Sequence, residues 1–157
     1  MADEYTTLGS LTLDVAGCIE AHDLTPLLNR GGVRGGDVTV ERLDGDVPRG
    51  RKRASWRFAL SYNLYGTNDF TGSPHVGSRR LGVIANLATL RAAVQAPYAA
   101  GNTVTLTHHL EDASTRFAEV IVEDIAAQAL DSPQKGDVLR LVLDIVCPAG
   151  QLEVPVP

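Results

Sequence analysis

Residues 55–65 read SWRFALSYNLY, and the alternation in that stretch decides the fold class. Trp56, Phe58, Leu60, Tyr62 and Leu64 fall on one side of an extended chain, and Arg57, Ala59, Ser61 and Asn63 on the other. A period of two is the side-chain repeat of a β-strand, and aromatic residues favour a pleated surface. The stretch is predicted to be a strand at the centre of the core. Beyond it, residues 66–78 are rich in Gly, Asn, Asp, Ser and Pro and form a polar excursion, for which contact with a partner is one candidate role. Residues 81–95 then place Val83, Leu87, Leu90 and Val94 at helical spacings among alanines, with Pro97 as a stop. One amphipathic helix is predicted there, packed against a sheet. Further alternating runs predict strands at 102–110, 116–126 and 137–147, with a turn at 131–136. The last strand turns Leu139, Leu141, Leu143, Ile145 and Cys147 inward and Arg140 and Asp144 outward.

Towards the N-terminus, residues 7–17 set Leu11, Leu13 and Val15 against Thr12, Asp14 and Ala16 and are predicted as one half-buried strand. Residues 22–36 contain Pro26 and then four glycines in six positions, Gly31, Gly32, Gly35 and Gly36, which predicts a loop. A short strand at 37–43 leads into a second loop at 44–50, dense in turn formers. Six or seven strands, one helix and no βαβ alternation predict a mainly β protein. Its architecture is expected to be an antiparallel β-sandwich or barrel with one flanking α-helix and a long Gly/Arg-rich loop at about 27–53. No internal repeat or linker divides the chain, so residues 1–157 are expected to form a single domain.

Hydrophobic residues make up 44% and charged residues 21%, a globular composition that excludes a disordered chain or a coiled coil. No apolar run approaches ~18 residues, and the N-terminus is acidic where a signal peptide is basic. A membrane span or secretion signal is not expected. The net charge of −5 conceals an asymmetry, because residues 30–53 hold seven of the 14 basic side chains against four acids. That segment carries +3 and leaves −8 on the remainder. An acidic body with one basic segment can bind its own copies, hold an anion or nucleic acid, or present a solvated loop. Two cysteines, Cys18 and Cys147, are too few for a disulfide scaffold and read as small buried hydrophobes.

Motifs for chemistry are missing. The two lysines, Lys52 and Lys135, lie outside any Gly-Lys-Ser/Thr context, and the glycines at 31–36 lack dinucleotide-fingerprint spacing. A metal site would have to use His22, His75, His108 and His109 with acids, but His108 and His109 adjoin on a predicted strand and point to opposite faces, so they do not readily hold one ion together. The same alternation is expected to separate Glu123 from Asp124, leaving no acid and base pair. Ser73-Pro74-His75, and Cys18 near His22, are pairs of the kind any chain contains, and no Gly-x-Ser-x-Gly elbow is present. The Arg30–Gly36 run lacks the aromatic residues of an RNA-binding segment. No catalytic residue, metal site or cofactor is expected, and the chain does not read as an enzyme.

The order of parts carries a resemblance: an N-terminal strand, a Gly- and Arg-rich excursion ending in Arg51-Lys52-Arg53, the aromatic strand, an Asn-Leu-x-x-Leu helix (Asn86, Leu87, Leu90) and a β-rich C-terminal half. In this it resembles the tail tube proteins of long-tailed (siphovirus-type) bacteriophages over most of its length. The resemblance implies a virion structural subunit that self-assembles into stacked, usually hexameric rings around a DNA channel. It implies assembly in the host cytoplasm, location in the virion tail, and as partners its own copies, other tail proteins, and DNA that passes without specific binding. No membrane partner is implied. A distal tail or tail terminator subunit of the same fold is the related alternative, and a small nucleic-acid-binding module the unrelated one. The expected subunit interface is the loop: Arg30, Gly31, Gly32, Arg34, Gly35, Gly36, Arg49, Arg51, Lys52 and Arg53.

Overall fold

The aromatic stretch forms strand β8 (Trp56–Leu64) in the computed structural model, which describes residues 3–28, 33–34, 37–39, 46–48, 52–53, 55–130 and 137–153. Leu60, Tyr62 and Leu64 are fully buried, and Arg57 on the other face is exposed, as the alternation requires. β8 pairs antiparallel with β11 (Leu139–Cys147) from Trp56 opposite Cys147 to Leu64 opposite Leu139, and on its other side with β3 (Ile19–Asp23). The inward set predicted for residues 139–147 is observed, with Leu141, Leu143, Ile145 and Cys147 buried.

The longest strand, β10 (Thr115–Ala129), joins two halves of one antiparallel sheet. Its first part, 115–120, pairs with β9 (Val104–His109), and its second, from Ile121 to Ala129, pairs with β11. β9 in turn pairs with β1 (Tyr5–Leu8), which pairs with β2 (Leu11–Thr12), giving the order β2-β1-β9-β10-β11-β8-β3. This seven-stranded sheet curls into a half-barrel with its core on the concave side. A hydrogen bond of 2.6 Å between Thr6 Oγ1 and Tyr62 OH, both fully buried, crosses that core from β1 to β8. Burial pushes the Tyr62 phenol above its ordinary pKa range, partly offset by Thr6.

Four expectations need correction. Residues 7–17 are not one strand, because the chain reverses at Gly9-Ser10 and places Leu8 opposite Leu11. Gly9 has φ 60° at the first central position, where a two-residue hairpin loop of type II′ takes glycine. The predicted loop at 22–36 begins inside β3 and continues as a short 3-10 turn (Thr25–Leu28) that buries Leu27. Its glycine-rich part also holds a two-residue strand, β4 (Val33–Arg34). The helix, α1 (Arg79–Ala99), is longer than 81–95: Ser78 Oγ accepts from the Leu81 amide at the N-cap, and the helix runs through Pro97. Proline's fixed φ is helical, so at 97 it removes one hydrogen bond without forbidding the last turn. Asn102 N then donates to the Pro97 carbonyl at 2.8 Å. α1 buries Val83, Leu90 and Val94 and packs against β10 and β8.

Cys18 and Cys147 are fully buried and unpaired with each other, as small hydrophobes are expected to be. Among the described residues no helix is long and apolar enough to cross a membrane.

Candidate assembly interface

Most of the interface expected from sequence, Arg30, Gly31, Gly32, Gly35, Gly36, Arg49 and Arg51, lies outside the described residues. Arg34 belongs to β4, and Lys52 and Arg53 to β7 (Lys52–Arg53), whose backbones pair as Val33 with Arg53 and Arg34 with Lys52. Their side chains are outside the description. Between them β5 (Asp37–Thr39), the described part of the strand expected at 37–43, pairs with β6 (Asp46–Pro48). The excursion thus carries two short ladders, one inside the other.

Sheet edges supply a surface that sequence reading missed. Beyond a bridge from Ile19 to Val15, β3 pairs only with β8, and the second part of β10 pairs only with β11, among the described residues. Natural edge strands are usually guarded by charge, proline or a cover. Along β10 the sequence Ala126-Ala127-Gln128-Ala129 has no such guard and is exposed. β3 exposes Glu20, Ala21, His22 and Asp23.

The convex face of the sheet between those edges is acidic. Asp124 stands directly opposite Asp144, a like-charge pairing that weakens a sheet taken alone. Glu20 and Asp23 join the same face through their partners Asn63 and Ser61 of β8. The two arginines of that region are engaged: Arg57 Nη1 donates to Glu123 at 2.6 Å, and Arg140 Nε donates to Asn63 Oδ1 at 2.8 Å. Glu123 and Asp124 depart from expectation. A β-bulge between Val122 and Asp124 shifts the buried set from Ala118, Val120 and Val122 to Ile125, so both acids are exposed rather than opposed. They border a groove of about 360 Å³ between β10 and α1, shared with Arg91, Gln95 and Tyr98.

The remaining candidates are used for structure. His108 is buried and pairs with Glu4, while His109 stacks on Tyr5 with ring centroids 4.3 Å apart. His22 is exposed on β3, and no group of three or more His, Cys, Asp or Glu converges among the described residues. Burial, with Asp69 nearby, pushes the Cys18 thiol up to about 12, so it holds its proton at neutral pH. His75 Nε2 bonds Asn86 Oδ1 at 2.8 Å, and Ser73 Oγ accepts from the Thr71 hydroxyl at 3.1 Å. Asn86 is itself buried, and its Nδ2 donates to the carbonyls of Tyr65 and Asn68 at 2.7 and 2.8 Å. It clips the 66–78 excursion to α1. Asn68 Nδ2 ties the same excursion to the Ala16 carbonyl at 2.9 Å.

This fold has a counterpart among solved structures. The chain shares its fold with a phage tail hub protein. That protein is Dit (gp 19.1) of phage SPP1, described as a paradigm of the hub adsorption apparatus in phages infecting Gram-positive hosts; the match has a TM-score of 0.60 at 11% identity. It covers 98% of this chain and 53% of Dit, so the chain spans about half the length of that protein. No protein-family profile and no curated protein matches the sequence.

Proposed function

We propose that this chain is a structural subunit of a bacteriophage tail, one that assembles with its own copies into rings around the DNA channel. The observation that carries the reading is a likeness to the SPP1 hub protein extending over 98% of the chain. The two uncovered sheet edges support it. In a ring, β3 of one copy would lie against the second part of β10 in the next, a head-to-tail contact that closes when the rotation permits. The concave face of the sheet is filled by the subunit's own core, so the convex face would turn to the ring axis. Asp124, Asp144, Glu20 and Asp23 would then line the channel and repel DNA phosphates, which favours passage over binding. Six copies per ring, stacked into a tube, is the arrangement implied by the resemblance to tail tube proteins. In that arrangement the arginines of the 27–53 excursion would meet carboxylates of the adjacent ring.

A second reading, a distal tail subunit that forms a ring at the tail tip, is favoured by the neighbour being a hub protein. Negative-stain imaging of the concentrated, purified chain separates them. Tubes of stacked rings are expected for the tube subunit and isolated rings for the hub. A chain that stays monomeric at high concentration, or binds DNA with a steep salt dependence, refutes both.

A further inference from the structure

Helix α1 is apolar on two sides. Its inner side is the stripe already described, and its outer side exposes Leu81 at 61% and Ile84 at 53%, continuing through exposed Ala85, Ala88 and Ala92. No charged residue lies between Arg80 and Arg91. Val76, just before the helix, is fully exposed, and the Leu81 side chain reaches back to within 3.7 Å of the position a Cβ on Gly77 would occupy. Val76, Leu81 and Ile84 thus form a patch at the N-terminal end of α1. A contiguous exposed apolar patch rimmed by polar residues usually marks a contact surface.

Charge at that end indicates what covers the patch. The first turn holds Arg79 and Arg80 and no acid. Cations sit unfavourably at a helix N-terminus, where the backbone dipole is positive, so this choice weakens the isolated helix. An apolar centre with a cationic rim fits an apolar surface with an anionic rim. This chain supplies the anionic charge such a rim needs: with residues 30–53 set aside at +3 and α1 at +3, the rest carries −11.

We infer that the outward face of α1 is a subunit contact, covered in the assembly by the acidic surface of a second copy of this chain. The inference rests on the assembly reading above and adds a contact distinct from the sheet edges. Small residues at 85, 88 and 92 let that surface approach the helix closely, and Arg79 at its head sets the orientation.

The test attaches a benzophenone maleimide at residue 84 in an Ile84→Cys variant; the native thiols do not compete, because Cys18 and Cys147 are buried. Illumination of assembled protein is expected to give crosslinks between copies, mapping to acidic segments. An Arg79→Glu variant is expected to keep or raise the unfolding midpoint of the monomer, since it suits the helix dipole, while shifting the assembly midpoint at least tenfold to higher concentration. Assembly with an unreacted probe, or an Arg79→Glu variant that assembles like the parent, overturns the helix contact and leaves the ring reading standing. A parent chain that never assembles overturns both. Pelleting of the monomer with phosphatidylglycerol vesicles, lost in Arg79→Glu, would assign the patch to a membrane surface and also overturn the inference.

Discussion

Replacing Asn86 tests whether the clip between α1 and the 66–78 excursion holds the fold together. The side chain is 1% exposed and makes three hydrogen bonds, two donated to the Tyr65 and Asn68 carbonyls and one accepted from His75 Nε2. Asn86→Ala removes all three and strands two carbonyls and an imidazole N–H in a partly buried site. At about 1 kcal/mol for each hydrogen bond lost, the variant should be destabilised by about 3 kcal/mol. For a domain of this length that is about 6–12 °C in the unfolding midpoint. Asn86→Asp keeps the shape but exchanges two donors for acceptors facing carbonyl oxygens, so at pH 7 it should be at least as damaging. Urea unfolding at concentrations too low for assembly measures the loss. An Asn86→Ala variant within about 1 kcal/mol of the parent would refute the reasoning, since it would mean that water replaces the clip without cost.

Three further outcomes follow from the core and the surface. Tyr62→Phe should cost about 1–2 kcal/mol by leaving the buried Thr6 hydroxyl unpaired, and a double-mutant cycle with Thr6→Val in urea should return a coupling near 1 kcal/mol. Gly82→Ala should cost about 3 kcal/mol or prevent folding, because the new Cβ would stand 2.1 Å from the Gly66 carbonyl oxygen; soluble yield and thermal unfolding report it. Glu119 is held below the usual carboxyl range by the Thr105 and Thr103 hydroxyls, and Asp69, Asp23 and Asp112 by the hydroxyls and amides of Thr71 and Ser73, Thr25, and Ser114. Folded pKa values below the unfolded ones give stability that is present above about pH 4 and lost as pH falls through the folded values. The urea midpoint should therefore drop below pH 4, and less steeply in a Thr103→Val/Thr105→Val variant.

Long alternating runs were legible in the sequence because burial on one face dictates them. β8, β9 and β11 lie within a few residues of their predicted places for that reason. Two of the misses are local departures that interrupt a periodic pattern, and a third is a strand with no pattern to read. Gly9-Ser10 is a recognised two-residue hairpin signal, but the leucines on either side preserve an alternation that masks the reversal. The bulge at Glu123 has no residue signature, so two acids expected on opposite faces share the solvent side. β3 was illegible because four of its five residues, Glu20-Ala21-His22-Asp23, are exposed, leaving no apolar alternation to find. An edge strand held by β8 alone has only its backbone to identify it. The proposed edge contact was not legible, since Ala126–Ala129 carries small neutral residues that give no sequence signal.

The two kinds of contact invoked here respond oppositely to salt. The proposed joining of β3 to β10 around a ring would be a backbone contact, and it would bring Asp124, Asp144, Glu20 and Asp23 of every copy towards one axis. Screening relieves that repulsion, so the edge contact gains from salt. Docking the arginine-headed face of α1 on an acidic neighbour is an attraction between unlike charges, and screening weakens it. With a Debye length near ~10 Å at 0.1 M, both effects are largest at low salt. At low ionic strength the proposed helix contact would gather subunits while the acidic faces would keep a ring from closing; at higher ionic strength that repulsion would be screened. An acidic body with ten of its 14 cations on one helix and one excursion would therefore suit an ordered assembly, in which unlike surfaces meet first and like-charged faces are brought together last.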